Sequence, residues 1–463
     1  MAFEPCNRHV PFVPLRYDSH DPESSALKLV LTLSPSWQLP GSSVEFIRFT
    51  DGITNTLLKA VNRKPGLSQD AIDQDALLLR AYGHGTDLII DRQREAQNHE
   101  LLMQYGLAPT LLARFENGML YRFIRGEVTR PEDIRRPEIS MAIARRLAQW
   151  HATVPCLPQA ITASISVDGR ISDGPSNGQP HGGQNSDVQG STIAVASVSP
   201  NAGTPIAQGK LEPNIWTVMQ KWILALPADT AVCRERIAVL QAELKSLVAS
   251  LSHRSGLGKD GLVFAHNDLL SGNIIILPAS AEATNGPPVE VTFIDYEYAV
   301  PAPAAFDIAN HFAEWGGFDC NMNVLPTVEQ RRAFIDEYIN VYAKLRQLAP
   351  HGSEPFHLET EKARMLEEVD VFRGVPGFYW GIWALIQATI SDIDFDYATY
   401  AEARLSEYWA WKAEVNGERA ASGVDMPLRE RRWAQENEED NGGSSVATGS
   451  LQTRASTQST VPI

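Results

Sequence analysis

Positive charge is in short supply in this sequence. Its 463 residues carry 40 lysines and arginines against 56 aspartates and glutamates, a formal net charge of −16. Such a balance disfavours nucleic acid and repels an anionic membrane surface, so neither is an expected partner. Cysteine is scarce as well: Cys6, Cys156, Cys233 and Cys320 are scattered, with no CxxC pair. That excludes a disulfide framework and a zinc site, and fits reduced thiols in a cytoplasmic protein. No apolar run approaches the roughly 20 residues of a membrane span. The N-terminus shows no charged segment leading into an apolar core, so no secretory leader is expected. What the chain does have is a globular composition, 43% hydrophobic with ten tryptophans, and enough length for two or three domain-sized units.

The chemistry-bearing residues concentrate between Gly261 and Asp295. The apolar run Leu262, Val263 and Phe264 leads into His266-Asn267-Asp268. Asn273 follows, then a second apolar run from Ile274 to Leu277. After a polar loop the run Val291 to Ile294 ends on Asp295. This reads as a strand delivering a carboxylate into a loop, followed by a hairpin whose second strand carries another carboxylate. Metal-assisted phosphoryl transfer needs an acceptor for the attacking hydroxyl's proton and hard oxygen ligands for magnesium on the nucleotide phosphates. Asp268 suits the first role, Asn273 and Asp295 the second. The competing reading is a polar turn that merely caps a buried hairpin.

Upstream, Val44 to Thr50 and Ile53 to Val61 read as strands around the turn Asp51-Gly52. Such a turn can fold over phosphates and offer backbone N–H groups with the side chains of Thr54 and Asn55. It has one glycine, no GxGxxG and no Walker A lysine, so an ordinary hairpin turn competes. Ala76 to Tyr82 is another strand, and Arg80 lies within it among leucines. A guanidinium in apolar surroundings needs an anionic partner. Glu95, early in the expected helix Asp91 to Tyr105, is the candidate. The pair could touch nucleotide phosphates or only staple helix to sheet. Pro109 to Phe115 and Met119 to Ile124 add two strands, and Phe123 to Val128 forms a crossing to a mostly helical remainder. His151, at the end of a helix from Pro137 to Val154, reads as a core or capping histidine.

Residues 1–23 lack periodicity and read as a loose arm. Residues 161–210 are dominated by Ser, Gly, Asn, Gln, Pro and Asp, and residues 436–463 are similarly polar, so both are expected to be disordered. Units are thus expected at 24–127 and 128–435. Beyond Asp295, the residues Asp307, Asn310, His311 and Glu314 recur at helical spacing on one face. They could hold the Asp268 loop rigid or bind a cationic substrate; an amphipathic helix with a solvated acidic face is the competing reading. Trp380, Trp383 and Gln387 form a second stripe, which is core or the wall of a pocket for a small cationic alcohol.

Several of these segments, in this order, resemble the choline/ethanolamine kinase family. Val263–Ile276 (VFAHNDLLSGNIII) and Phe293–Trp315 (FIDYEYAVPAPAAFDIANHFAEW) carry the resemblance. Leu79–Gly83 (LRAYG), Ile90–Glu95 (IDRQRE) and Trp380–Ala388 (WGIWALIQA) support it. The resemblance implies an α+β, protein-kinase-like fold of two lobes. The small lobe would be a five-stranded antiparallel sheet with one helix that binds the nucleotide, and the large lobe would be mainly helical. It also implies ATP and magnesium as cofactors and an amino alcohol as substrate. Carried over by position, Asp268 is the base that meets the substrate, Asn273 and Asp295 hold magnesium, and Arg80 contacts phosphate. Thr54, Asn55, Glu95, Phe123 and Ile124 belong to the nucleotide side. Tyr298, Glu314, Trp380, Trp383 and Gln387 border the amino alcohol. Leu270 stands where choline kinases of the family commonly have Gln, which is similar to ethanolamine kinases. The phosphate loop departs from the paired glycines the family often has. The expected reaction is therefore phosphorylation of ethanolamine, with choline or dual specificity as the alternative. Aminoglycoside or protein kinase activity and a catalytically dead binding scaffold are the further competitors. A homodimer is compatible with the sequence.

Overall fold

The computed structural model describes residues 10–49, 55–83, 89–156, 210–258, 260–279, 288–347, 356–391 and 393–437. Thr54, the 161–210 insertion except Lys210, and the tail beyond residue 437 lie outside the described residues.

The first lobe is a six-stranded sheet in the order β1-β5-β6-β4-β3-β2. Its strands are β1 (Phe12–Val13), β2 (Ser43–Phe49), β3 (Asn55–Arg63), β4 (Leu77–Tyr82), β5 (Leu111–Phe115) and β6 (Gly118–Arg122). Side chains alternate across a strand. On β4, Leu77, Leu79 and Ala81 pack with Leu58, Ala60 and Phe115 against helix α1 (Pro22–Leu33). Arg80 therefore points to the other face, where helix α3 (Arg92–Gln104) crosses the sheet. Asp91 caps α3, its Oδ1 accepting from the Arg94 N–H at 3.1 Å. A short helix α2 (Gln69–Asp75) lies between β3 and β4, capped by Ser68.

The second lobe surrounds two small antiparallel sheets with helices. β8 (Val263–Ala265) pairs with β11 (Val300–Ala302). β9 (Ile274–Ile276) lies between β10 (Val291–Phe293) and β7 (Glu127–Val128). Around them stand α4 (Pro137–Thr153), α5 (Ile215–Ala225), α6 (Ala231–Leu251), α7 (Ala304–Ala313), α8 (Val328–Gln347), α9 (Leu358–Phe372), α10 (Val375–Ile390) and α11 (Tyr397–Val415). Trp150 is fully buried in the centre, its Nε1 donating to the Phe264 carbonyl at 2.8 Å. That bond fixes β8 against α4. Close approach of α10 to α11 requires glycine: a Cβ at Gly374 would sit 2.1 Å from the Trp411 ring, and one at Gly381 2.7 Å from Leu405. No helix among the described residues is long and apolar enough to cross a membrane.

The two-lobed α+β arrangement matches expectation, and three details differ. The arm expected at residues 1–23 is ordered from Val10 onward, because Val10, Val13 and Tyr17 are buried and β1 adds a parallel edge to β5. Two residues are too few to show periodicity in sequence. The sheet accordingly has six strands rather than five, one of them parallel. The lobe also has α1 and α2 beside α3, where one helix was expected: α1 lies ahead of the first expected strand, and α2 is a polar stretch of only seven residues.

Candidate active site

After β8 the chain turns through His266-Asn267-Asp268, and the turn is bonded at almost every residue. Asn267 sits at φ +63, the left-handed region that Asn tolerates better than most residues. Its Nδ2 donates to the carbonyls of Tyr298 and Val300, both at 3.1 Å. Asp307, fully buried in the first turn of α7, accepts two backbone N–H groups. Oδ2 takes His266 at 2.9 Å and Oδ1 takes Asn267 at 2.8 Å. His151 adds a third contact, Nε2 to Oδ2 at 3.0 Å, and its Nδ1 lies 2.7 Å from the Tyr338 hydroxyl. Burial pushes Asp307 upward, but its bond to His151 and the neighbouring His151 and His266 prevail and hold it below the usual carboxylate range. One turn along, Asn310 Nδ2 donates to the Asn267 carbonyl at 3.0 Å, and His311 Nδ1 lies 2.9 Å from the Leu269 carbonyl.

Asp268 is thereby fixed at the cleft. Its Oδ2 accepts from Asn273 Nδ2 at 3.0 Å, and the same amide bonds the Asp268 carbonyl at 2.8 Å. Its Oδ1 is buried with no partner. Burial pushes the carboxyl well above its ordinary value; Asp295, Glu314 and Glu297 push the same way, while Asn273 opposes. Those three carboxylates thus lie near enough to Asp268 to act on its charge. Asp295 follows β10 at φ +64, a conformation that costs about 1–3 kcal/mol where it is imposed. The Ile294 N–H donates to the Asn273 carbonyl at 3.0 Å, so the Asn273 and Asp295 segments are tied to each other.

Across the cleft stands Arg80, 5% exposed. Its Nη2 lies 2.7 Å from Asp295 Oδ1 and 2.5 Å from Glu297 Oε2, and its Nε lies 3.1 Å from Glu95 Oε1. Burial opposes the charge, yet Asp295, Glu95 and Glu297 outweigh it and keep the guanidinium protonated. Burial raises the Glu95 carboxyl, with Arg80 and Arg92 opposing. Asn55 Nδ2 donates to Glu297 Oε2 at 3.2 Å. Phe123 is half-buried at the crossing, its ring stacked on Phe49 at 6.4 Å with Lys59 Nζ 4.0 Å from its centre. Ile124 beside it is half-buried too.

On the second-lobe side Trp383 Nε1 donates to the Tyr298 hydroxyl at 2.8 Å, and Trp380 Nε1 to Asn310 Oδ1 at 2.8 Å. Tyr298 meets Trp380 edge-on at 5.6 Å, and Trp380 meets Trp383 edge-on at 5.4 Å. With both indole N–H groups engaged, the ring orientations are set. Gln387 is buried one turn beyond Trp383. Glu314, just past α7, is buried and faces Arg404 on α11, whose Nη2 lies 3.3 Å from its Oε1. Burial pushes the Glu314 carboxyl up, and Arg404 opposes.

The structure thus brings Asp268, Asn273, Asp295, Arg80, Glu95, Asn55, Glu314 and Tyr298 to one interlobe cleft, with Trp380 and Trp383 packed on Tyr298. Sequence reasoning missed Glu297, which joins Arg80, Arg92 and Asn55; its place two residues after Asp295 was the available signal. Arg404 gave none, being one arginine in an ordinary helix. His151, read as a core or capping residue, is buried in the core and there braces Asp307. Among the described residues no cluster of three His, Cys, Asp or Glu side chains is arranged to hold a metal by itself. Magnesium does not demand one, since it takes one or two protein oxygens and completes its shell with phosphates and water. Asn273 Oδ1, the Asp295 carboxylate and the unpartnered Asp268 Oδ1 are hard oxygen donors of that kind.

The description "Choline/ethanolamine kinase" belongs to the family model that matches residues 46–409. A probable ethanolamine kinase of Nematostella vectensis is 32% identical over 404 residues, covering 87% of this chain and 97% of that protein. Human ethanolamine kinase 1 is 30% identical over 408 residues, covering 86% of this chain and 74% of its own length. Among solved structures, an ethanolamine kinase of Plasmodium vivax superposes with a TM-score of 0.57 at 23% identity, covering 84% of this chain and 89% of its own. A choline kinase of Cryptosporidium parvum does so at 0.52 and 19%, covering 88% and 98%. At those identities the structures speak to the fold, which is the two-lobed one described above. With the family model spanning most of both lobes and the sequence relatives spanning most of the chain, the chain belongs to the choline/ethanolamine kinase family.

Proposed function

We propose that this chain transfers the γ-phosphoryl group of ATP to the hydroxyl of ethanolamine, forming phosphoethanolamine, the first step of the CDP-ethanolamine route to phosphatidylethanolamine. The observation that carries the reading is Asp268: one carboxylate oxygen is held by Asn273, while the other is buried and unpartnered in a cleft shared with Asp295 and Glu314. The hydroxyl of the amino alcohol would donate to Oδ1. As its oxygen bonds to the γ-phosphorus, the bond from that phosphorus to the bridging oxygen breaks and ADP leaves, while the hydroxyl proton passes to the carboxylate, whose burial makes it a ready acceptor. In a loose transition state that transfer need not be advanced, so Asp268 chiefly orients the nucleophile. Asn273 and Asp295 would hold magnesium through their side-chain oxygens, and the bound ion would neutralise charge on the phosphate oxygens. Asn55 and Arg80, with Thr54, Phe123 and Ile124, would line the nucleotide side, and Glu95 would keep Arg80 in place. Glu314, Tyr298, Trp380, Trp383 and Gln387 would line the amino-alcohol side, with the Glu314 carboxylate as acceptor for a primary ammonium.

The names of the relatives from Nematostella and human support ethanolamine, and so does Leu270 two positions after the base. A choline reading is favoured by one observation, the Tyr298–Trp380–Trp383 cluster, since aromatic faces attract a quaternary ammonium. A side-by-side ATP assay with ethanolamine, its N-methylated derivatives and choline tests both. Ethanolamine should give the highest kcat/KM, and a rise with each added methyl would replace it with choline.

A further inference from the structure

A carboxylate that receives a substrate cation must be ionised, and burial works against that at Glu314. Five groups face it from three parts of the chain. Asp268 faces it from the catalytic loop, Cys320 follows it in chain, and Tyr400, Arg404 and Glu407 come from α11. Arg404 is the only cation in that set and is 1% exposed. Its Nη2 lies 3.3 Å from Glu314 Oε1, its Nε lies 3.9 Å from Glu407 Oε2, and its guanidinium carbon lies 5.8 Å from the Tyr400 ring centre. Among the described residues, Glu314 Oε2 accepts no hydrogen bond. Within the trio Glu314, Arg404 and Glu407, two carboxylates and one guanidinium leave one net negative charge, and Asp268 adds a further carboxyl beside it, an anionic excess that suits an ammonium.

We infer that Arg404 is a positioning residue for substrate selection: it occupies one oxygen of Glu314, keeps the carboxylate anionic, and leaves the other oxygen turned to the ammonium of a monocationic amino alcohol. This rests on the proposed reading of the same cleft, but it concerns a residue that does not itself touch substrate. The geometry separates the two oxygens by function. Arg404 binds one and the substrate the other, so the guanidinium does not compete for the cation's place. Glu407 takes the far side of the guanidinium, which limits the positive charge the cleft sees. With Glu407 neutral, that trio would carry no net charge and would hold Glu314 ionised to lower pH.

The test is the pH profile of kcat/KM in Arg404→Gln, Arg404→Lys and Glu407→Gln, on whichever amino alcohol the wild-type enzyme turns over best. Whether that alcohol is ethanolamine decides the functional reading, and the variant profiles decide the present one. Arg404→Gln should move the acid limb to higher pH. It should raise the amino-alcohol KM about tenfold near pH 6 and much less near pH 8.5, with the KM for ATP unchanged, as expected when a neighbouring cation is removed. Arg404→Lys should restore most of the profile. Glu407→Gln, at a partly exposed position that tolerates change, should move the acid limb the other way and raise KM at neutral pH. A loss in Arg404→Gln that is equal at every pH, or that affects ATP and amino alcohol alike, would assign Arg404 to simple packing of α11. Should Arg404→Gln fail to fold, an acid limb that does not move in Glu407→Gln overturns the inference by itself.

Discussion

Asp307 makes no contact with the expected position of any substrate, yet replacing it should cost both stability and turnover. Among the described residues its carboxylate is the acceptor for the N–H groups of His266 and Asn267, at 2.9 and 2.8 Å, and it is fully buried. Asp307→Ala would leave two buried donors unmade at about 1–3 kcal/mol each and would take from His151 one of its two partners. A total of about 3–6 kcal/mol is a large part of the 5–15 kcal/mol by which most domains are stable. Asp307→Asn is the better probe. It keeps one acceptor oxygen but turns an NH2 group toward a backbone N–H, so one of the two bonds must break. A loss of about 2–3 kcal/mol is expected, within reach of urea titration. The loop then loses a tether directly beside Asp268, and a displacement on the order of 1 Å there can cost about a hundredfold in kcat. The assay is ATP-dependent phosphorylation at saturating amino alcohol and ATP, on protein shown by its urea midpoint to be folded. A folded Asp307→Asn enzyme with kcat within about threefold of wild type would refute the claim that this carboxylate positions the catalytic loop.

Other consequences are separable. Asp268→Asn should reduce kcat by at least about a thousandfold, in the range seen on removing a catalytic acid or base, while the KM for ATP stays within a few-fold; normal turnover would remove Asp268 from the mechanism. Asp295→Asn should abolish magnesium-dependent turnover and raise affinity for metal-free ATP, measured by calorimetry in the presence of a chelator. His99, His266 and His311 are each pushed down to about 4 by burial, below the unfolded value of about 6.5. The unfolded chain therefore binds protons first. Stability is fully present above about pH 6.5 and falls as pH drops toward 4, by roughly 4 kcal/mol for the three at pH 5.5; a Tm that stays level between pH 7.5 and 5.5 would contradict this. Trp383→Phe removes the indole N–H bonded to the Tyr298 hydroxyl and should raise the amino-alcohol KM several-fold with the KM for ATP unchanged.

What could be read from sequence was chiefly what is local. The Asp268–Asn273–Asp295 spacing is legible because a short strand, a loop and a hairpin fix their relative places, and the hairpin register Phe293↔Ile274 does so. Arg80 was legible for a different reason: a guanidinium among leucines demands an anion, and Glu95 was within one helix of it. The same logic could not tell how many anions would gather there. Asp295 and Glu297 lie more than 200 residues away, and only the meeting of the lobes shows that both reach Arg80. The helix face of Asp307, Asn310, His311 and Glu314 had two readings, a brace for the loop or a cation site. The structure divides them within one element: the first three bond the backbone of residues 266–269, while Glu314, two turns beyond Asp307, turns to Arg404. Periodicity finds such a face and cannot say what stands opposite each position. β1 was illegible for want of length, and Thr54 lies outside the described residues.

Charge arithmetic ties the two lobes to the chemistry. Arg80 and Arg92 meet Glu95, Asp295 and Glu297, three anions to two cations, and Asp268 and Glu314 share the same cleft. A nucleotide triphosphate brings several more negative charges. Two like charges 4 Å apart repel by about 4 kcal/mol at the effective dielectric of a partly buried site. Arg80 relieves part of this, but it already faces three carboxylates and stays protonated because of them. Among the described residues, Arg80 and Arg92 are outnumbered by the carboxylates they meet, which leaves little positive charge there to offset Asp295. On the proposed reading Asp295 would hold a divalent cation, whose charge would reverse that sign where the repulsion would be greatest. On this argument the acidic excess is no defect of the nucleotide site. On the proposed reading it would make triphosphate binding conditional on the metal, so that ATP would enter in the form from which the phosphoryl group can leave.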